Sequence, residues 1–350
     1  MRFSVVVPIY NVERYLSECL DSLVGQIFKD FEVILINDGS TDSSPSICER
    51  YLDRYPFFRY YSQTNKGLFS ARRRGSMLAK GEYLVALDSD DCLHKDALLL
   101  LDKAVTLTGA QVVCFGMSRR ADYKTTCDLS GANCGARPLS KHAIKKIVCG
   151  SPDLNTICGK AISRDVMNSC YAVIQDDLRL SMGEDLFQTL RLIDEADTFC
   201  TIEAELYYYR PNQSSITNKY CRDNVVDSER VYGDLLAYAE KWDSEESDSC
   251  SYSYLAASSV LCAFGALGQA AAGSMSRNLA LRELSFISDA EVFKRSKSIF
   301  SRRACSYRFD KVLIGEMLAN RNYLALLAVV HIKKSVKKAM SILKVGDGAQ

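Results

Sequence analysis

Asp88, Asp90 and Asp91 fall within four residues, directly after the apolar run Tyr83–Leu87. Carboxylates this close oppose one another's ionisation unless a cation offsets them. Asp88 and Asp90 are two apart, so a local bend aims both at one divalent ion. Mn²⁺ or Mg²⁺ suits a few carboxylate oxygens, with substrate phosphates and water completing its shell. Alone, the run reads equally well as an acidic turn capping the next helix. Its neighbours tip the balance: Pro8-Ile9-Tyr10-Asn11, Asn37-Asp38-Gly39-Ser40-Thr41-Asp42, Asn65-Lys66-Gly67 and Ala71-Arg72-Arg73-Arg74-Gly75. Tyr10 could stack on a base and Asp38 could accept from a base N–H. Otherwise Tyr10 is a surface aromatic and Asp38 a turn residue before Gly39. The chain has no G-x-G-x-x-G and no G-x-x-x-x-G-K-[ST], so metal, cations and individual side chains would have to hold a nucleotide.

These clusters follow segments that read as strands. Phe3–Ile9 and Phe31–Ile36 are apolar runs suited to strands buried on both faces. Phe58–Ser62, Tyr83–Leu87 and Gln111–Met117 read as three more. Helical spacing joins Tyr15, Leu16, Cys19, Leu20, Leu23 and Val24. Ser44-Pro45 reads as a cap with proline in first position, opening a helix to about Tyr55. Ser70–Ala79 and Leu98–Val105 read as further helices, the latter capped by Asp96 and ended by Gly109. Strands alternating with helices over 117 residues predict a parallel sheet, with ligands gathered beyond the strands' carboxyl ends. Residues 119–155 read as a polar excursion. Thr156–Ile162 and Thr198–Tyr209 read as returning strands with a helix at Glu184–Glu195 between them. Beyond about Asn218 the pattern is helical, with Lys241–Asp248 as an exposed loop.

VVVPIYN, NDGSTDSS, NKGLFSARRRG and GEYLVALDSDD, in that order, resemble the family-2 glycosyltransferases. The likeness is dense over residues 3 to about 115. It continues more thinly through CGKAISRDV, GEDLF and YYYRPNQSSIT. The resemblance implies an α/β GT-A fold, a Rossmann-like, mostly parallel sheet with flanking helices, here followed by a C-terminal helical region. The expected divisions are a nucleotide-binding half over 1–117, an acceptor half over 118–217 and helices over 218–350. Position by position, it implies that Asp38 contacts the uracil, with Tyr10 and Pro8 beside the base. Asp90 becomes the metal ligand, with Asp88 sharing the metal and lying nearer the ribose. Asp185 becomes the catalytic base, with Glu184 as rival. Arg72 is expected near the sugar or diphosphate, Lys66 less strongly, and Arg73 and Arg74 are expected in solvent, since three adjacent arginines cannot face one site. Arg210 either meets the diphosphate or forms a structural ion pair. His94 reads as an exposed loop residue rather than a metal ligand.

The implied reaction is inverting transfer from a UDP-sugar to a glycan or lipid-linked acceptor, assisted by Mn²⁺ or Mg²⁺, in cell-surface polysaccharide or lipopolysaccharide synthesis. A non-catalytic nucleotide-sugar-binding protein is the first alternative. A sugar nucleotidyltransferase is the second, although it would be expected to carry a glycine-rich basic loop after the first strand. Over 350 residues, 47% apolar residues permit a sizeable core, and 44 basic against 43 acidic residues give no global field for nucleic acid.

Fourteen cysteines without a Cys-x-x-Cys, beside three histidines, read as reduced, buried thiols rather than zinc ligands or a disulfide framework. The opening MRFSVVVPIYN lacks the makings of a signal peptide, so a cytoplasmic setting is expected, at the inner face of the membrane if the tail docks there. Ser249–Ser276 carries no charge and is long enough to span a bilayer, but its Ser, Gly and Ala content favours a buried helix. The tail, apolar over Tyr323–Ile332 apart from His331 and then rich in lysine, reads as a basic amphipathic helix for an anionic surface or as a solvated terminal helix.

Overall fold

Every residue of Phe3–Ile9 (β1) and every residue of Phe31–Asn37 (β2) is buried in the computed structural model, as continuous apolar runs require. The structure describes residues 1–120, 135–174, 178–211, 220–246, 252–300 and 309–346, without the side chains of 309–311 and 337–346. The chain forms two units. The first comprises Met1–Lys145 with Pro152–Gln213, and the second Lys146–Ser151 with Ser214–Gln350.

The first unit is built on one sheet. β1 pairs in parallel with β2 and with β4 (Tyr83–Ala86), and β2 pairs in parallel with β3 (Phe58–Ser62). The register sets Ile9 beside Asn37 and Asn37 beside Ser62, so the polar segments leave the sheet at one edge. The intervening helices are α1 (Glu13–Val24), α2 (Ser44–Leu52) and α3 (Leu68–Leu78). α1 turns Leu16, Cys19, Leu20 and Leu23 into the core, the face its spacing predicts. Past β4 come β5 (Cys92–Leu93), α4 (Ala97–Thr108), β6 (Val112–Ser118), β7 (Ala136–Leu139) and α5 (Lys141–Gly150), the last crossing the division between the units. β8 (Lys160–Ser163), α6 (Arg164–Ala172), α7 (Glu184–Glu195) and β9 (Phe199–Tyr208) complete the unit. The strand order is β3-β2-β1-β4-β8-β6-β9-β5, with β7 on β9. β8 runs antiparallel between β4 and β6, while β6 and β9 are parallel, so the sheet is mixed and mostly parallel as expected.

Several details differ from the sequence reading. Within the expected excursion, β7 rejoins the sheet and α5 is helical, while 121–134 lie outside the described residues. The returning strand is Lys160–Ser163, shorter than Thr156–Ile162, and α6 follows it directly. Ser43 rather than Ser44 holds the cap position of α2, and the Asp42 carboxylate accepts the Ser44 N–H at 3.0 Å. Asp96 occupies the cap position of α4 without capping through its side chain; Oε1 of buried Gln26 accepts the Leu98 N–H instead, at 3.2 Å.

The second unit's helices are α8 (Arg222–Glu245), α9 (Tyr252–Ser274), α10 (Arg277–Asp289), α11 (Glu291–Ile299), α12 (Phe309–Ala319) and α13 (Tyr323–Gly346). Lys241–Glu245 is the last turn of α8 rather than a loop, because Trp242 anchors it with no exposed surface; 247 and 248 lie outside the described residues. The uncharged segment forms α9, and 72% of its most apolar window is buried inside the protein. Its small residues explain the packing: a Cβ on Gly265 would come within 2.9 Å of the Gly315 backbone nitrogen. The two helices therefore touch backbone to backbone. Of the ten cysteines among the described residues, none is joined in a disulfide and all but Cys221 are buried.

Candidate active site

The β1 end gives Pro8, which is buried, and Tyr10, which is 54% exposed. At the β2 end Asp38 is buried, and its carboxylate closes a turn. It accepts from Gln63 Nε2 at 2.7 Å, from the Lys66 N–H at 2.9 Å and from the Gly67 N–H at 2.8 Å. Asp38 thus shapes the Asn65-Lys66-Gly67 turn, leaving the Lys66 side chain exposed.

That turn launches α3, which buries Arg72 to 2% exposure. Its Nη2 donates to Asp88 Oδ1 at 2.7 Å and its Nη1 to Asp185 Oδ1 at 2.6 Å. Cys158 Sγ lies 3.7 Å from the same Nη2. Burial alone would lower the Arg72 pKa, but the charges of Asp88 and then Asp185 more than reverse this and hold the guanidinium charged. The two carboxylates stay 27% and 31% exposed, so each keeps a solvent-facing edge. Arg73 and Arg74 are half-buried rather than solvated. Arg73 Nη2 reaches the Tyr171 carbonyl at 3.3 Å, and Arg74 Nη1 reaches the Ser62 carbonyl at 2.8 Å. Helical spacing separates the three directions, and each finds an acceptor on a different neighbour.

The aspartate run is divided in use. Asp91 is 2% exposed and accepts from the Tyr207 hydroxyl at 2.7 Å and from the Arg210 N–H at 2.8 Å. Burial pushes the Asp91 carboxyl up to about 7. The Tyr207 hydroxyl, itself buried, also accepts the Asp88 N–H at 3.2 Å. Tyr207 reaches this position because β5 pairs Leu93 with it. Asp91 and Tyr207 therefore pin the loop, leaving Asp88 and Asp90 partly exposed.

Arg210 adds a second clamp. Its Nε donates to the Asp90 carbonyl at 2.8 Å and its Nη2 to Glu18 at 2.7 Å, with the guanidinium carbon 5.0 Å and 5.2 Å from the ring centres of Tyr15 and Tyr208. In this arrangement it serves the structural ion pair. His94 is half-buried, with Nδ1 accepting the Asp96 N–H at 3.3 Å; the loop packs against β9, which draws it inward.

Asp185 stands in the first turn of α7, beside Glu184. Gly183 caps the helix at φ +84°, a conformation that disfavours residues with a Cβ and turns the chain abruptly into the helix. Burial first, then the Asp185 charge, pushes Glu184 toward its neutral form. Nearby, the buried Lys160 ammonium donates to the carbonyls of Leu154, at 2.8 Å, and Thr156, holding the segment that leads to Cys158.

Among the described residues no three His, Cys, Asp or Glu side chains converge as a closed metal cage. The donor set still fits a hard cation of the Mg²⁺ or Mn²⁺ type, which needs only one or two carboxylates beside substrate phosphates. Asp88 has its Oδ2 outside the Arg72 pair, and Asp90 is partly exposed beside it. Sequence reasoning brought Asp88 and Asp185 to one site, gave Asp91 no role apart from its cluster, and missed Tyr207, Cys158 and Gln63. The Tyr-rich end of β9 was the available signal for Tyr207.

A mostly parallel sheet with paired acidic loops at its carboxyl edge defines the GT-A class of fold. Residues 4–167 match the model of glycosyl transferase family 2. It is 30% identical over 217 residues to the putative glycosyltransferase EpsH of Bacillus subtilis, covering 62% of this chain and 63% of that one. It is 40% identical over 104 residues to the glycosyltransferase GlyA of Streptococcus pneumoniae, covering 30% of this chain and 15% of that one. The matches thus span less than two thirds of these relatives' own length. S. aureus TarS 1-349, solved in complex with UDP-GlcNAc, superposes with a TM-score of 0.64 at 17% identity, covering 96% of this chain and 92% of that one.

Proposed function

We propose that this protein is an inverting glycosyltransferase moving a sugar from a UDP-sugar to a hydroxyl of a glycan or lipid-linked acceptor in cell-surface glycan synthesis. The carrying observation is the single guanidinium of Arg72 that holds Asp88 and Asp185 at one place. It joins the loop suited to the donor's diphosphate with a carboxylate suited to the acceptor.

In this reading Tyr10 and Pro8 flank the base, and Asp38 supports the uracil side through the turn it closes. Asp185 takes the proton from the acceptor hydroxyl as that oxygen attacks the anomeric carbon, which requires hydrogen-bond reach rather than an exceptional pKa. The Arg72 fork orients Asp185 and holds Asp88 beside it. Lys66, exposed at the mouth of α3, offers a mobile cation to the diphosphate. Arg210 keeps the Asp90 backbone in place. Held by Asp90, Asp88 and donor phosphates, a Mn²⁺ or Mg²⁺ ion would supply Lewis-acid compensation for charge on the leaving diphosphate. One displacement inverts the anomeric centre, so an α-linked donor yields a β-linked product.

The family and the same fold in TarS, which holds UDP-GlcNAc, support the donor class. The relative GgaB, a minor teichoic acid biosynthesis protein of Bacillus subtilis, supports the cell-surface setting. The reading places the reaction in the cytoplasm, at the inner face of the membrane where a lipid-linked acceptor is presented. Calorimetric titration of UDP with and without Mn²⁺ tests the donor site, with metal-dependent binding expected. Proton NMR of the transfer product then tests the stereochemistry, and retained configuration would overturn single displacement. Binding without transfer to any acceptor would favour the non-catalytic alternative.

A further inference from the structure

Lys160 is a buried charge that the reaction outlined above does not use. Only 1% of it is exposed. Burying an ammonium is costly, and a methionine of similar length would fill the same space without that cost. The ammonium donates to the carbonyls of Leu154, at 2.8 Å, and of Thr156. Burial works against its charge, while the nearby Cys114, Asp185 and Cys158 favour it. Lys160 therefore pins the segment 154–158 at two carbonyls. Gly159, at φ +78°, turns the chain between that segment and Lys160.

Both ends of the segment touch the site. At one end the Asn155 carbonyl accepts from the buried Thr189 hydroxyl at 3.0 Å. Thr189 stands four residues after Asp185 on α7, one turn along the same helix face. At the other end Cys158 Sγ lies 3.7 Å from Arg72 Nη2. Burial pushes the Cys158 thiol up, so it meets the guanidinium as a neutral sulfur. Arg72 closes the circuit through its bond to Asp185 at 2.6 Å. The segment thus braces both the fork and the helix that carries the carboxylate, and Lys160 sets its shape.

We infer that Lys160 and Thr189 are positioning residues for Asp185, acting through the segment 154–158 on the rate of transfer and not on donor binding. The inference rests on Asp185 being the base, as proposed above.

Thr189→Val removes one hydroxyl at nearly the same volume. α7 keeps its apolar packing and the bond from the Tyr171 hydroxyl to Gln188 at 2.7 Å, so the variant should fold. Its kcat should fall roughly fivefold, the effect of losing one hydrogen bond, with UDP affinity unchanged. Thr189→Ser, which keeps the hydroxyl, should recover most of that rate. Lys160→Met should lower kcat further, roughly tenfold to a hundredfold. In an Asp185→Asn background, Thr189→Val should leave the residual rate as it is, because its effect passes through the carboxylate. Equal factors in both backgrounds, an unchanged kcat in Thr189→Val, or parallel losses of kcat and UDP affinity would overturn the inference. Hydrogen exchange needs no substrate. Lys160→Met should speed it over 154–158 and the first turn of α7, and leave β1 and β2 as they are. Unchanged exchange at α7 would overturn the positioning on its own. Wild-type transfer by Asp185→Asn would instead bring down the assignment of the base and with it the effect on rate, leaving exchange to decide whether the segment braces α7.

Discussion

Nη1 of Arg72 donates to Oδ1 of Asp185 at 2.6 Å, joining α3 to α7 across 113 positions of sequence. The same side chain holds Asp88 through Nη2, so one planar fork sets the spacing between two acidic elements. Lysine carries the same charge but presents it as a point on a flexible stem. Arg72→Lys should therefore keep the fold while transfer falls on the order of a hundredfold, the scale of an ångström-level misplacement. Arg72→Ala should also destabilise, by somewhat less than the ~3–5 kcal/mol of a broken buried pair, since both carboxylates retain exposure. Wild-type rates in Arg72→Lys would show that the fork has no part in the reaction.

Asp185→Asn separates binding from chemistry. The amide is nearly isosteric and can still meet solvent, but it cannot take a proton at neutral pH. UDP affinity should stay within a few-fold of wild type, while transfer should drop by about 10²–10⁴, the usual worth of a positioned base. Glu184→Gln should leave most of the transfer intact. If the two variants exchange these phenotypes, the base is Glu184.

The contrast between these two residues marks how far sequence reading reaches. β1 and α7 are legible to the residue because an apolar run and a 3.6 period leave little choice of boundary. The clusters at their ends are legible for the same reason, since knowing where a strand stops says where its polar residues gather. Partnership is a different matter. That Arg72 is the buried one among Arg72, Arg73 and Arg74 depends on which way α3 faces, and its second carboxylate comes from another element. β5 is two residues long, too short for any periodicity, yet it brings Tyr207 to Asp91. The cap of α4 is hidden similarly, since Gln26 reaches Leu98 from 72 positions away.

Tyr207→Phe tests the pinning of the aspartate loop. It removes the hydroxyl that donates to Asp91 and accepts from the Asp88 N–H, leaving a buried carboxylate one bond short. Such a loss costs about 1–3 kcal/mol. Because the loop also presents Asp88 and Asp90, Mn²⁺-dependent UDP affinity should weaken several-fold, while metal-independent UDP binding changes little. A variant that loses thermal stability yet keeps its metal dependence would confine Tyr207 to the core.

Glu184 supplies the pH dependence. Burial, and after it the neighbouring Asp185 charge, raises its carboxyl from the ordinary 4.5 to about 7 in the folded protein. Between those values the native state holds a proton that the unfolded chain has released. Native protein therefore binds more protons than unfolded, and stability falls as pH rises through this window. Glu184→Gln cannot ionise and escapes that fall. Its melting temperature should match wild type near pH 4, then pull ahead between about pH 4.5 and 7, by a few degrees and no further above it. Parallel melting curves across the range would mean that Glu184 stays ionised beside Asp185. Two charged carboxylates would then share the first turn of α7, and Arg72 would have to neutralise both as well as Asp88.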